Sequence, residues 1–161
     1  MCCFLKDLLL GIVAAVAITA LVLVVIGGSD FGPGIQASLV GGEGTVPAGT
    51  NVLFDTVNNL GNGVSYDPVT GLFTITRLGN YNVAWWVATD GAGPATSVSF
   101  AVAVNGVPYS TASSPAVTGQ ISGDAFVSVT MVPATVSLVN VTGEDVFIPS
   151  TPVQAGIVIK R

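Results

Sequence analysis

The chain has 161 residues, half of them hydrophobic, with 8% charged and a formal net charge of −5, against a usual charged share of about 25%. Lys6, Arg77, Lys160 and Arg161 are its only cations, which excludes a nucleic-acid interface, because phosphate binding needs clustered Lys and Arg, and argues against a head that clings to anionic lipid. Histidine is absent and the only cysteines are Cys2 and Cys3, so the usual general base, the Ser–His and Cys–His pairs and the commonest transition-metal ligand are missing.

The first element is Leu8–Ile26, LLLGIVAAVAITALVLVVI, 19 residues without a charge. As a helix it would span roughly 28 Å, the hydrocarbon thickness of a bilayer. Lys6 and Asp7 precede it and Gly27-Gly28 follow, as glycine often follows a helix end. The single basic flank places the N-terminus inside and the head outside. Three readings stand open. The segment is a membrane anchor, a cleaved signal peptide, or a helix buried in protein at the core of an assembly. A helix apolar all round must be buried in something. Gly11, Ala15 and Thr19 fall four apart, a spacing of small residues that lets helices approach closely. Cys2 and Cys3 precede the apolar run, so they form no lipobox. They read either as inert or lipidated thiols at a membrane edge or as cross-links to another subunit.

Residues 29–36 form a Gly-rich linker, and the pattern then changes to period two over 37–161. Val98, Phe100, Val102 and Val104 alternate with Ser99, Ala101 and Ala103. Tyr81, Val83, Trp85 and Val87 alternate with Asn82, Ala84, Trp86 and Ala88. Such alternation marks half-buried strands. Turn signals separate the runs, the strongest being Asn105-Gly106, with Pro108 expected to shorten the strand after it. About eight to ten strands, and no helical period beyond Ile26, predict a β-sandwich or jelly roll. The bulky faces should fill its core. The faces of Ala, Ser, Thr or Asn read either as plain solvent surface or as a surface against which another subunit packs flat, the second favoured because an Ala-rich face is poor at staying solvated. Trp85 and Trp86 must point to opposite faces, one in the core and the other an interface anchor or a carbohydrate-stacking platform.

Three stretches carry a resemblance: TVPAGTNVLFD at 45–55, GNGVSYDPVTGLFTI at 61–75 and GNYNV at 79–83. Looser matches are NGVP at 105–108, Gly123-Asp124 and the terminal GIVIK. Over about residues 36 to 161 the chain resembles the C1q/TNF-like jelly-roll superfamily, in particular the heads of collagen-like exosporium glycoproteins on bacterial spores. The resemblance implies an all-β, ten-stranded sandwich behind one N-terminal hydrophobic α-helix. It also implies a homotrimer with a binding or scaffolding role. Those glycoproteins carry a Gly-X-Y stalk that this chain lacks. The direct helix-to-head junction is similar to F-type endospore appendage subunits. It implies trimers that polymerise head to tail on an extracellular spore surface, with a spore-coat or exosporium protein as the anchor. The alternative is a membrane-anchored trimeric head that binds a ligand or adheres.

No enzyme, cofactor or metal is expected. The nine acids are scattered, and only Glu144-Asp145 are adjacent. A calcium loop would need several oxygen ligands at close spacing, so the pair reads as a solvated turn. Asn140-Val141-Thr142 matches a glycosylation sequon that arises often by chance. The residues expected to serve assembly are Cys2, Cys3, Gly11, Ala15, Thr19 and Trp86.

Overall fold

The computed structural model describes residues 32, 34–42 and 44–161. The expected helix over Leu8–Ile26 lies outside the described residues, as do Cys2, Cys3, Gly11, Ala15 and Thr19. Gly32–Arg161 forms a compact unit by its internal contacts.

The period-two alternation is realised as twelve strands: β1 (Gly34–Leu39), β2 (Gly44–Val46), β3 (Thr56–Leu60), β4 (Val64–Asp67), β5 (Leu72–Ile75), β6 (Gly79–Asp90), β7 (Val98–Val104), β8 (Val107–Ser114), β9 (Thr118–Val129), β10 (Ala134–Asn140), β11 (Val146–Ile148) and β12 (Ala155–Lys160). Two exceed the expected range because β2 and β11 have three residues each, too few to display a period. A front sheet runs β3-β1-β12-β6-β9, a back sheet β4-β5-β10-β7-β8, and β2 and β11 form a separate ribbon. Every pairing is antiparallel. Strand pairing begins at Gly34, within the stretch read as linker, because Ile35 and Ala37 already alternate into the core.

The inward faces hold the side chains that alternation assigns to them. Tyr81, Val83, Trp85 and Val87 of β6 are buried, facing Val98, Phe100 and Val102 of β7 across the sandwich. Trp85 meets Phe100 at 6.1 Å between ring centroids. Phe54, Tyr66 and Phe73 make a second aromatic cluster with centroids 4.5–6.2 Å apart. Burying each such aromatic contributes about 1.5–3 kcal/mol. The Tyr66 hydroxyl accepts the Phe54 N–H at 2.7 Å, and burial pushes its pKa up.

The Asn105-Gly106 turn is realised as a two-residue hairpin with φ of 51° and 78°, the positive values a type I′ turn requires. Pro108 does not shorten β8. It sits on the edge strand, where no ladder donor is needed on its outer side. A register shift pairs Ala103 with Pro108 and Val102 with Ser110, so Tyr109 is left without a partner as a bulge. Gly71 is fixed twice over. Its φ is +72°, and a Cβ there would stand 2.9 Å from the Asn51 Cβ and 3.0 Å from the Val52 carbonyl.

The two ends of the sandwich differ. Gly34 pairs with Lys160, so the start of the first strand and the end of the last lie together at one end, the proximal end. The crossovers 76–78 and 130–133 and the Asn105-Gly106 turn lie at that end. The distal end carries the β2–β11 ribbon, the turn after Asp67 and the Asn140 loop.

Candidate functional site

The outer face of the front sheet is built from the residues that alternate away from the core. Cross-strand pairing sets Trp86 of β6 between Gly156 of β12 and Ser122 of β9. The next rows bring in Ala84 with Val158, and Asn82 with Phe126. Trp86 is half-buried and Phe126 is 63% exposed. The indole leans over Gly156, where a Cβ would fall 2.7 Å from Nε1. Glycine is therefore what lets the ring lie along the sheet. On the opposite side of the same sheet, Gly123 gives room to Trp85, whose ring atoms would stand 2.7 Å from a Cβ. Gln36, Ser38, Trp86, Ser122, Gly156 and Val158 line a shallow depression of about 480 Å³. Small side chains around one large aromatic make a face that another surface can pack against flat. Sequence reasoning placed one tryptophan outside and proposed Trp86 as an anchor. It missed Gly156 and Phe126, although the Ala-Gly-Ile-Val-Ile run of β12 carries the glycine in plain sight.

At the distal end, Leu39, Val46, Pro47, Leu53, Val69 and Ile148 line an apolar cleft of about 550 Å³. Two buried amides brace its walls. Gln154 clasps Gly42, accepting the Gly42 N–H at 3.1 Å and donating to the Gly42 carbonyl. Asn140 bonds the β2 strand and its own following loop. Two carboxylates brace the surface loops. Asp55 accepts N–H groups from Val40 and Gly41 at 2.8–3.2 Å and the Thr56 hydroxyl at 2.9 Å. Partial desolvation pushes its carboxyl up, but the bonds from Gly41, Thr56 and Val40 outweigh it and hold the pKa below the ordinary value. Asp67 accepts the Thr70 hydroxyl at 2.7 Å and the Val69 N–H at 2.9 Å, and those bonds lower its pKa too.

A folded-state pKa below the unfolded one stabilises the protein above the unfolded value and ceases to do so as pH falls through the folded value. The melting temperature should therefore hold level down to the ordinary carboxylate range and fall below it. Circular-dichroism melts from neutral pH to about pH 3 measure this. The Asp55→Asn/Asp67→Asn variant should melt lower at neutral pH and with a flatter acid limb. An unchanged acid limb would show that these two carboxylates do not set it.

Among the described residues, no three His, Cys, Asp or Glu side chains gather to hold a metal ion. Asp145 accepts the Ala48 N–H at 2.9 Å and the Glu144 carbonyl accepts from Asn140, so the Glu144-Asp145 pair serves its turn. The sequon asparagine, Asn140, is fully buried with its amide engaged, which leaves no accessible nitrogen for a glycan.

No family model matches the chain, and no curated protein matches it by sequence. Solved structures do match. The globular domain of zebrafish complement 1qA superposes with a TM-score of 0.58 at 14% identity, covering 79% of this chain and 93% of that one. Murine APRIL superposes with a TM-score of 0.60 at 12% identity, covering 80% and 99%. The fold is the C1q/TNF jelly roll. The jelly-roll expectation thus stands for the head, with five strands in each main sheet and β2 and β11 added at the distal end.

Proposed function

We propose that the protein is a structural, non-enzymatic subunit of an extracellular filament or appendage on a bacterial spore surface. It assembles as homotrimers through the front sheet and then polymerises head to tail, with the N-terminal apolar segment as connector. The observation that carries the reading is the outer face of the front sheet, where Trp86 lies over Gly156 among Ala84, Ser122 and Val158. Exposed aromatic anchors set among small residues suit a subunit contact. C1q- and TNF-type likeness favours a trimer over a dimer. The uncharged run from Leu8 to Ile26 supports a second, protein-buried contact between subunits, since an all-apolar helix needs burial.

Electron microscopy of the purified full-length protein, beside a form lacking residues 1–28, tests this. Filaments from the full chain and dispersed trimers from the truncated one are expected. Filaments from the truncated head would sink the connector role. Isolated trimers held in a detergent micelle through the N-terminus would instead favour a membrane-tethered binding head.

A further inference from the structure

The charges of the head are segregated by end. Among the described residues, the cations Arg77, Lys160 and Arg161 all lie at the proximal end. Arg77 packs beside Gly63, Arg161 beside Gly79, and Lys160 pairs with Gly34. Asp55, Asp67, Asp90, Glu144 and Asp145 lie at the distal end, in or beside the loops that carry the ribbon and the cleft. Among the described charged residues, only Asp124, midway along the outer face of the front sheet, belongs to neither end. The apolar surface is segregated in the same way but with opposite relief. At the proximal end Leu78, Val107, Met131 and Val132 project from turns and crossovers, Met131 with 79% of its surface exposed. At the distal end Leu53 and Val69 are exposed on the rim of the concave cleft, which Leu39 and Val46 line from within.

We propose that these two ends are complementary docking surfaces, and that the proximal end of one head seats on the distal end of the next copy. The apolar knobs around Met131 enter the cleft, while Arg77 and Arg161 face the acids on its rim. The contact is heterologous and does not close on itself, so it propagates as a polar stack. Opposed charge patterns fix its direction, because turning one head over brings like charges together. In a trimer the same contact recurs around the axis and adds its multivalency to the hold of the N-terminal connector, without which it stays too weak to stack the heads. The inference rests on the filament reading and names the head surfaces that join one layer to the next.

Charge exchange in the full-length protein tests it. One variant carries Arg77→Glu/Arg161→Glu, which turns the proximal end net negative, and the other Asp90→Lys/Glu144→Lys/Asp145→Lys, which turns the distal end net positive. Each alone presents like charges at every end contact and should raise the concentration needed for filaments at least about tenfold. Mixed in equal amounts, the two should co-assemble at near the parent's concentration, because each end of one then meets its complement on the other. Co-assembly also shows that both variants fold. A mixture that assembles no better than its parts, or variants that polymerise like the parent, would overturn the end contact. Leu53→Asp and Met131→Asp, both on exposed side chains, should each also block stacking. Filaments that ignore the charge reversals yet are lost with Leu53→Asp would assign the cleft to another occupant, such as the 1–31 segment of a neighbouring copy, and overturn the proposal. A parent protein that forms no filament fails the filament reading and this inference together. Parent filaments indifferent to the reversals fail this inference alone.

Discussion

On the trimer reading proposed above, Trp86→Glu should leave the head monomeric without lowering its melting temperature by more than a degree or two. The indole lies on the outer face of the front sheet, over Gly156, and is only half-buried. Its inward counterpart, Trp85, is the tryptophan that packs against Phe100. Truncating a central aromatic anchor commonly costs 2 kcal/mol or more, about a thirtyfold change in affinity. A carboxylate forced into a flat apolar contact costs more, because it loses water and gains no partner. Sedimentation velocity of the 29–161 head reads the assembly state directly. Trp86→Phe should keep the trimer. Gly156→Ala should weaken it, because the new methyl would displace the indole from the sheet. Trimers of the Trp86→Glu variant that persist undiminished would remove this face from the contact. A variant that also unfolds would show that Trp86 braces the sheet. The neighbouring substitution Phe126→Ser then separates the two roles, since Phe126 stands clear of the core and should affect association alone.

Much of this architecture is legible in residue patterns, and the illegible parts share a cause. The run Val98–Val104 shows its buried face by alternation alone, and the turn at Asn105-Gly106 follows from the need for two positive φ values. Tyr81, Val83 and Val87 share parity with Trp85, which already favours Trp85 for the core over Trp86. Beyond such local signals the sequence falls silent. Gln154 looks like a surface residue before the last strand, yet its amide clasps Gly42, 112 positions away. The distal cleft is assembled from the end of β1, from β2 and β11, and from three loops, and of these only β1 carries a period. The bulge at Tyr109 lets β8 pass through Pro108, and a rule for the single strand sees only the proline. Local chemistry thus specifies strands and turns. The contacts that shape the candidate surfaces depend on which strands become neighbours, and that is a property of the whole fold. The N-terminal assembly residues, Cys2, Cys3, Gly11, Ala15 and Thr19, rest on sequence reasoning alone.

The same distinction makes Asn140 the most sensitive polar position in the head. At the end of β10 it looks like a strand-terminating residue or a sequon, but it is fully buried. Its Nδ2 donates to the Val46 carbonyl at 2.8 Å and to the Glu144 carbonyl at 2.9 Å, while its Oδ1 accepts the Thr142 N–H at 2.9 Å. Its main chain bonds Gly49 and Thr50 as well. One side chain therefore ties the back sheet to the ribbon that walls the cleft. Asn140→Ala strands three backbone groups, and each unsatisfied buried group costs about 1–3 kcal/mol. Because water reaches part of the loop, we expect a net loss of about 3 kcal/mol, or roughly 10 °C in melting temperature at this chain length. Asn140→Asp should be worse at neutral pH. It keeps the acceptor for Thr142 but sets a carboxylate against two carbonyl oxygens. Protonation would restore one donor, so this variant should lose less relative to the parent as pH falls toward the carboxylate range. Thermal melts of both variants across that range decide the matter. An Asn140→Ala head that melts within a degree of the parent would show that water replaces the amide, and the ribbon would then be held by its own strand pairing and by the Phe147 N–H bond to the Gly91 carbonyl.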